Sequence, residues 1–149
     1  MDELFLALNE ASVRYLLIGG QAMRLMGMPR FSMDWDIFIP PSDEANFELL
    51  NQVLAAELDL PLVPLGPHGE NFVQTYQTSW GVVQFHLALP GVRSFEQAEA
   101  AAVRRTTEHG TPVKCMAGSD LLIAKMAANR PQDQVDIQFL QELRRVGKL

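Results

Sequence analysis

The sequence is poor in the residues that build cross-linked or zinc-bound scaffolds. It has one cysteine, Cys115, and three histidines among 149 residues, so an internal disulfide and a structural zinc site are both excluded. No stretch approaches the roughly 18 consecutive apolar residues that a membrane helix needs. The first residues, Met1-Asp2-Glu3, are acidic where a signal peptide would be basic. These absences predict a cytoplasmic protein without a membrane segment.

Basic residues are also scarce. Lysine and arginine number 12 against 18 aspartates and glutamates, which gives a formal net charge of −6. This balance argues against a protein whose main task is to coat nucleic acid or an anionic membrane. The charge is uneven, because residues 1–75 carry −8 and residues 76–149 carry +2. Such a division suits a metal held against a polyanion, and it suits an ordinary solvated surface nearly as well.

The chain has the length of one domain, and 48% of its residues are hydrophobic, which is enough to bury a core. Apolar runs and alternation predict strands at residues 15–18, 32–39, 72–78 and 81–89, and a hairpin of residues 104–108 with 111–115. Helical spacing predicts helices near residues 4–11, 21–26, 42–58, 95–102, 119–129 and 132–146. The order predicts a single α/β (α+β) domain over residues 1–149, with a mixed, twisted sheet and helices packed mainly on one side.

Some details of these elements can be predicted as well. Ser42 and Ser119 are suited to cap two of the helices. The methionines are expected to fill the core. They include Met33, which immediately precedes Asp34 on the second predicted strand. The apolar residues of the last helix that share one face are Val135, Phe139, Leu143 and Val146.

Two aspartates on the second predicted strand are the first chemical feature. Asp34 and Asp36 alternate with Met33, Trp35 and Ile37, so both carboxylates point to one face. Such a pair repels itself, and a divalent cation removes that cost, since Mg²⁺ is typically held by one or two carboxylates plus substrate phosphates. A solvated acidic face on an edge strand is the alternative. The apolar flanks favour a central strand, where unused acids are costly.

A glycine turn stands shortly before the aspartate pair. Gly19 and Gly20 follow the apolar run of residues 15–18 and precede a predicted helix. Glycine lets the backbone approach a ligand closely, and a helix N-terminus offers N–H groups to phosphate. A lone Gly-Gly is more often an ordinary turn. Combined with the aspartates, it predicts a phosphate-binding turn beside a metal site.

These motifs together resemble those of a known family. The pair GG at residues 19–20, followed by R-x-S-x-D-x-D at residues 30–36, resembles the signature of the DNA polymerase beta-type nucleotidyltransferase superfamily. The similarity is greatest to a small bacterial branch that includes abortive-infection-type toxins. A second motif, S-D-L-L-x-x-K at residues 119–125 with R-x-x-D-x-x-D at residues 130–136, is similar to that branch's closing helix pair.

The resemblance implies that a nucleoside monophosphate is transferred from a nucleoside triphosphate (NTP) such as ATP to an acceptor hydroxyl on RNA, a protein or a small molecule. Asp34 and Asp36 would bind Mg²⁺ or Mn²⁺. The residues assigned to the nucleotide are Gly19, Gly20, Arg30, Ser32, Lys125 and Asp136, and Lys125 would also act in catalysis. A toxin–antitoxin role would imply an antitoxin-like protein partner.

One position departs from the family. The superfamily usually supplies a third carboxylate from a later strand, and in the matching strand Gln84 and His86 take that face. His86 stands where the acid normally does. An imidazole could act as a base or bind a softer metal such as Mn²⁺. It could equally mark a degenerate domain that only binds a nucleotide or a partner, or be a buried structural histidine.

The charged residues of both motifs have structural alternatives. Arg30 could pair with Asp34 or Asp36 in a metal-free fold, and Lys125 could face solvent on its helix. The two later aspartates, Asp133 and Asp136, could be surface acids or partners of Arg130.

Overall fold

The computed structural model describes residues 2–149. Its α-helices are α1 Asp2–Glu10, α2 Gly19–Leu25, α3 Glu44–Val53, α4 Phe95–Ala101, α5 Gly118–Ala128 and α6 Gln134–Arg145. Its strands are β1 Leu16–Ile18, β2 Trp35–Phe38, β3 Val73–Thr78, β4 Gly81–His86, β5 Val103–Thr106 and β6 Pro112–Cys115, and a 3₁₀ turn, Pro131–Asp133, precedes α6. No helix formed by residues 2–149 is long and apolar enough to cross a membrane.

The strands form one mixed sheet in the order β3–β4–β2–β1–β6–β5. Strand β2 pairs antiparallel with β1 and parallel with β4, while β1 also pairs parallel with β6. The mixed α/β class is therefore confirmed. Strand β2, which carries Asp36, lies inside the sheet rather than at its edge, as its apolar flanks indicated.

Aromatic packing fixes the start of β2. The Phe5 ring of α1 is fully buried, and its centroid lies 5.9 Å from those of Tyr15 and Trp35. Burying a side chain of this size contributes about 2–3 kcal/mol to stability. The contact between Phe5 and Trp35 joins α1 to the residue immediately before Asp36.

Both predicted serine caps are wrong. Asp43, not Ser42, caps α3, and its carboxylate accepts the Asn46 N–H at 3.1 Å and a hydrogen bond from Arg14 at 2.9 Å. A charged acceptor with two donors is stronger than a neutral hydroxyl. Ser119 lies inside α5, which begins at Gly118 without a side-chain cap.

The predicted apolar face of the last helix is not its buried face. Val135 and Val146 are 64% and 47% exposed, and the buried residues of α6 are Asp136, Ile137 and Leu140. The buried face of α6 differs from the predicted one because the Asp136 carboxylate points inward. There it forms ion pairs with Lys125, which is buried, and with Arg30, which is half-buried.

Candidate active site

The sheet places the predicted acid and histidine side by side. Strands β2 and β4 run parallel, with Asp36 opposite Gln84 and Phe38 opposite His86. His86 Nε2 lies 2.9 Å from Asp36 Oδ1. The imidazole thus occupies the space beside Asp36 where the resemblance placed a third acid. Its side chain is 18% exposed and lines a cavity, so it is not a fully buried structural histidine.

The glycine turn lies directly against Asp36 and Ser32. Gly19 has a φ of +70°, and a Cβ at this position would lie 2.6 Å from Asp36 Oδ2. A Cβ on Gly20 would lie 2.6 Å from Ser32 Oγ and 3.2 Å from Arg30 Cζ. Both positions therefore require glycine, because any side chain would displace the motif residues packed against the turn.

The segment before β2 is a loop rather than the start of a strand. The strand begins at Trp35, so Asp34 and Ser32 precede it. Phe31 and Met33 are 81% and 72% exposed, which corrects the expectation that Met33 fills the core. The sequence alternation therefore extends beyond the strand into this loop, where Met33 and Asp34 are both exposed.

A buried glutamine holds this loop in place. Gln21, on α2, is 5% exposed and donates its side-chain N–H to the Ser32 carbonyl oxygen at 2.9 Å. Sequence reasoning missed this contact. Its position directly after the glycine pair was the only available signal.

The second motif folds into a buried ion cluster. Lys125 Nζ lies 2.8 Å from Asp136 Oδ2 and 3.7 Å from Asp133 Oδ1. Arg30 also pairs with Asp136, and Arg130 binds both oxygens of Asp133 at 2.8 and 3.0 Å. We refer to these five residues as the ion cluster. Its three cations and two carboxylates leave one positive charge uncompensated.

The ion cluster decides the alternatives left open by the sequence. Arg30 pairs with Asp136 rather than with Asp34 or Asp36. Lys125 is buried rather than solvent-facing, and Asp133 and Asp136 are only 1% and 2% exposed. Burial alone would raise the pKa of the Asp133 carboxyl, but hydrogen bonds from Arg130 and the charge of Lys125 hold that pKa below its usual value.

A cavity of about 510 Å³ connects the two motifs. Its charged lining residues are Asp34, Asp36, Lys125 and Arg130 among side chains that the structure describes, together with the imidazole of His86. Asp36 is close enough to Arg130 to help raise the pKa of that guanidinium, although hydrogen bonding to Asp133 is the largest cause. A second cavity, of about 560 Å³, is lined by neither Asp34 nor Asp36, although Trp35 and Gln21 from the same region contribute to its lining.

The donor atoms fit Mg²⁺ that arrives with a phosphate ligand. Within residues 2–149, no group of three or more histidine, cysteine, aspartate or glutamate side chains forms a metal-binding set. However, two carboxylates suffice for Mg²⁺ when phosphates and water complete the octahedron. The Asp34 carboxylate has no hydrogen bond or ion pair to the described residues, and Asp36 engages His86 through Oδ1 only.

The structure thus brings most predicted site residues together. Gly19, Asp34, Asp36, His86 and Lys125 line one cavity. The other four do not line it but contact one another or Lys125: Gly20 packs against Ser32 and Arg30, and Asp136 pairs with Arg30 and Lys125. Their roles toward a nucleotide or metal remain predictions.

Comparison with known proteins gives a fold but no close relative. No protein-family model matches the chain, and no curated protein matches it. The crystal structure of ANT(2'')-Ia in complex with adenylyl-2''-tobramycin superposes with a TM-score of 0.60 at 14% sequence identity, covering 97% of this chain and 86% of that one.

The solution structure of the same antibiotic-resistance factor gives a TM-score of 0.55 at 15% identity, covering 97% of this chain and 81% of that one. Similarity at this low identity is similarity of fold. The chain therefore has the nucleotidyltransferase fold that its motifs implied.

Proposed function

We propose that this protein is a divalent-metal-dependent nucleotidyltransferase that moves a nucleoside monophosphate from an NTP to an acceptor hydroxyl. The observation that carries the proposal is the placement of Asp34 and Asp36 in one cavity with Lys125 and Arg130. An NTP needs cations around its phosphates, and this cavity combines a site for a divalent cation with two basic side chains.

The chain's own residues would act mainly by positioning and by charge. Mg²⁺ held by Asp34 and Asp36 would supply charge neutralisation for the triphosphate. The acceptor oxygen forms a bond to the α-phosphorus, the bond from that phosphorus to the bridging oxygen breaks, and pyrophosphate leaves. The uncompensated positive charge of the ion cluster favours the leaving pyrophosphate, and Arg130 is the cluster's most exposed cation, with a side chain that is 58% exposed.

In this proposal His86 receives the acceptor's proton. If its Nε2–H donates to Asp36 Oδ1, at 2.9 Å, its Nδ1 carries a lone pair that can accept a proton. In this arrangement Asp36 orients the imidazole through one oxygen and keeps the other for the metal. A histidine base would thereby replace the acid that the resembling family uses.

The similar structure supports a small-molecule acceptor. Its ligand, adenylyl-2''-tobramycin, is by name a small molecule that carries an adenylyl group. The same fold therefore accommodates such a product in that protein. We extend only the small-molecule nature of the acceptor to this chain.

A catalytically degenerate domain is the second candidate function. The observation that favours it is the imidazole of His86 beside Asp36, where the resemblance implies a third carboxylate. Such a domain would bind the metal–nucleotide complex or a partner without transfer.

Calorimetric titration of the four NTPs, with Mg²⁺ and with Mn²⁺, tests the proposed site. We expect metal-dependent binding of at least one NTP, and its loss in the double variant Asp34→Asn/Asp36→Asn. Asp59→Asn, an exposed acid that does not line the cavity, is the matched control and should bind as the wild type does. Equal binding by the double variant would overturn the metal assignment.

Transfer from an α-labelled NTP separates the two candidate functions. Native transfer that is lost in His86→Ala supports the enzyme with a histidine base. Binding without transfer, with transfer appearing in His86→Asp, supports the degenerate domain.

A further inference from the structure

The lining of the cavity combines the charged residues described above with uncharged ones. The uncharged residues come from the start of β3, from the segment after β4 and from α5. Their side chains include Phe72, Val73, Leu89, Pro90 and Ala124. We refer to the first four of these as the apolar wall.

The apolar wall adjoins His86. Val73 lies directly opposite His86 in the antiparallel β3–β4 ladder. The Phe72 carbonyl oxygen accepts the Leu87 N–H at 2.7 Å, so backbone hydrogen bonds hold Phe72 at the end of β4. A compound seated on the wall would therefore present its reactive group close to the imidazole.

Charge accounting limits what the wall can bind. Among the described residues that line the cavity, the only carboxylates are Asp34 and Asp36, and the proposed function commits both to the metal. The remaining charged residues, Lys125 and Arg130, are cations. A cationic acceptor would find no carboxylate partner that is free of the metal, and it would lose hydration against an apolar surface.

The exposure of the wall indicates a ligand surface with an aromatic component. Phe72 is 49% exposed although it lines a concave site, so its ring is available for stacking or edge contact. Such contacts favour flat or apolar groups, and a hydroxyl on the same compound would lie near His86, which is opposite Val73.

We infer that the acceptor is an uncharged hydroxyl compound with an aromatic or apolar face, which packs on the apolar wall and presents its hydroxyl to His86. This inference rests on the proposed function and specifies the acceptor of that same site. A polyamine acceptor does not fit this cavity.

Two probes of matched shape test the inference that the acceptor is uncharged. Tyrosol and tyramine share a hydroxyphenylethyl group and differ in an alcohol against an ammonium. With the isotope-labelled protein and Mg²⁺, we expect tyrosol to shift the amide resonances of Phe72, Val73 and Leu89 saturably. Tyramine should bind at least fivefold more weakly, and glycerol, which lacks the ring, should give no saturable shift.

Variants of one exposed ring identify the wall as the binding surface. Phe72→Ala should weaken tyrosol binding about fivefold, and Phe72→Glu should reverse the preference toward tyramine. Phe31→Ala is the matched control, because Phe31 is 81% exposed and does not line the cavity. Its tyrosol affinity should equal that of the wild type.

The outcomes separate this inference from the proposed function. If NTP binding depends on Asp34 and Asp36 but tyramine binds as tightly as tyrosol, or tyrosol does not bind at the wall, the acceptor inference is overturned and the transferase proposal stands. If tyrosol binds as expected but no NTP binds with either metal, the transferase proposal fails, and the acceptor role fails with it.

Discussion

Two pairs of aspartates meet at one site in contrasting environments. The side chains of Asp133 and Asp136 are 2% and 3% exposed, and both carboxylates bind cations of the ion cluster. Asp34 is exposed and its carboxylate has no hydrogen bond or ion pair to residues 2–149, while Asp36 contacts His86 and lies near Arg130. The first pair is satisfied within the fold. The second lines the cavity, where we propose that it binds a ligand.

The contrast explains why one domain keeps so many charges near its core. A buried ion pair contributes little net stability, because desolvation offsets attraction, yet removal of one partner is strongly destabilising. The ion cluster joins α5, α6 and the loop that carries Arg30, so it connects helix α5, which lines the cavity, to the segment that precedes Asp34 and Asp36. Stability and ligand binding should therefore respond to different aspartates.

The largest expected effect comes from Asp136→Asn. This change leaves Lys125 and Arg30 sharing one fewer carboxylate in a buried site, which we expect to lower the free energy of unfolding by about 3 kcal/mol. Urea unfolding measures the change. Asp34→Asn is the matched control and should cost no more than about 0.5 kcal/mol, although it should weaken metal-dependent NTP binding. Equal destabilisation by both variants would contradict the division into paired and unpaired acids.

A methyl group at Gly19 should perturb Asp36, which belongs to the second pair of aspartates. Gly19→Ala places a Cβ 2.6 Å from Asp36 Oδ2 at a φ of +70°. We expect a loss of about 1 kcal/mol from the backbone conformation and about 1–2 kcal/mol more from the clash. NTP binding should also weaken, because Asp36 must move.

Gly69→Ala isolates the backbone contribution. Gly69 has a similar φ of +67° and nothing within 4 Å of its Cβ position, so only the cost of about 1 kcal/mol should remain. The two unfolding curves, measured side by side, give the clash by difference. Identical losses would mean that Asp36 is not held against the turn.

The same comparison shows what the sequence could and could not predict. Alternation within a few residues predicted that Asp34 and Asp36 share a face of one strand, and both line the cavity although Asp34 precedes β2. The family resemblance placed His86 beside the pair, and its Nε2 lies 2.9 Å from Asp36 Oδ1. Once both strands were placed inside the sheet, no further prediction was needed to pair β2 with β4.

The ion cluster could not be predicted in this way. Arg30 and Asp136 are 106 residues apart, and no periodicity links them. The spacing of Val135 and Val146 even predicted the wrong buried face for α6, because hydrophobic spacing takes no account of a carboxylate that is buried with cationic partners. Met33 was misplaced for a related reason, since its alternation continued into a loop in which Met33 is exposed.

The smallest expected effect concerns acid stability and sharpens the contrast further. Because hydrogen bonds from Arg130 help to hold the pKa of Asp133 below 3.8, the unfolded chain takes up a proton at this carboxyl more readily than the folded chain. The resulting stabilisation is present above about pH 4 and is lost as pH falls through the lowered pKa. Arg130→Gln should therefore flatten the acid limb of the unfolding free energy by about 1 kcal/mol, a modest value because the Arg130 side chain is largely exposed. Arg93→Gln removes the same charge from an exposed arginine outside the ion cluster and should leave that limb unchanged. An equal flattening in both variants would assign the acid sensitivity to net charge instead of to the paired carboxylate.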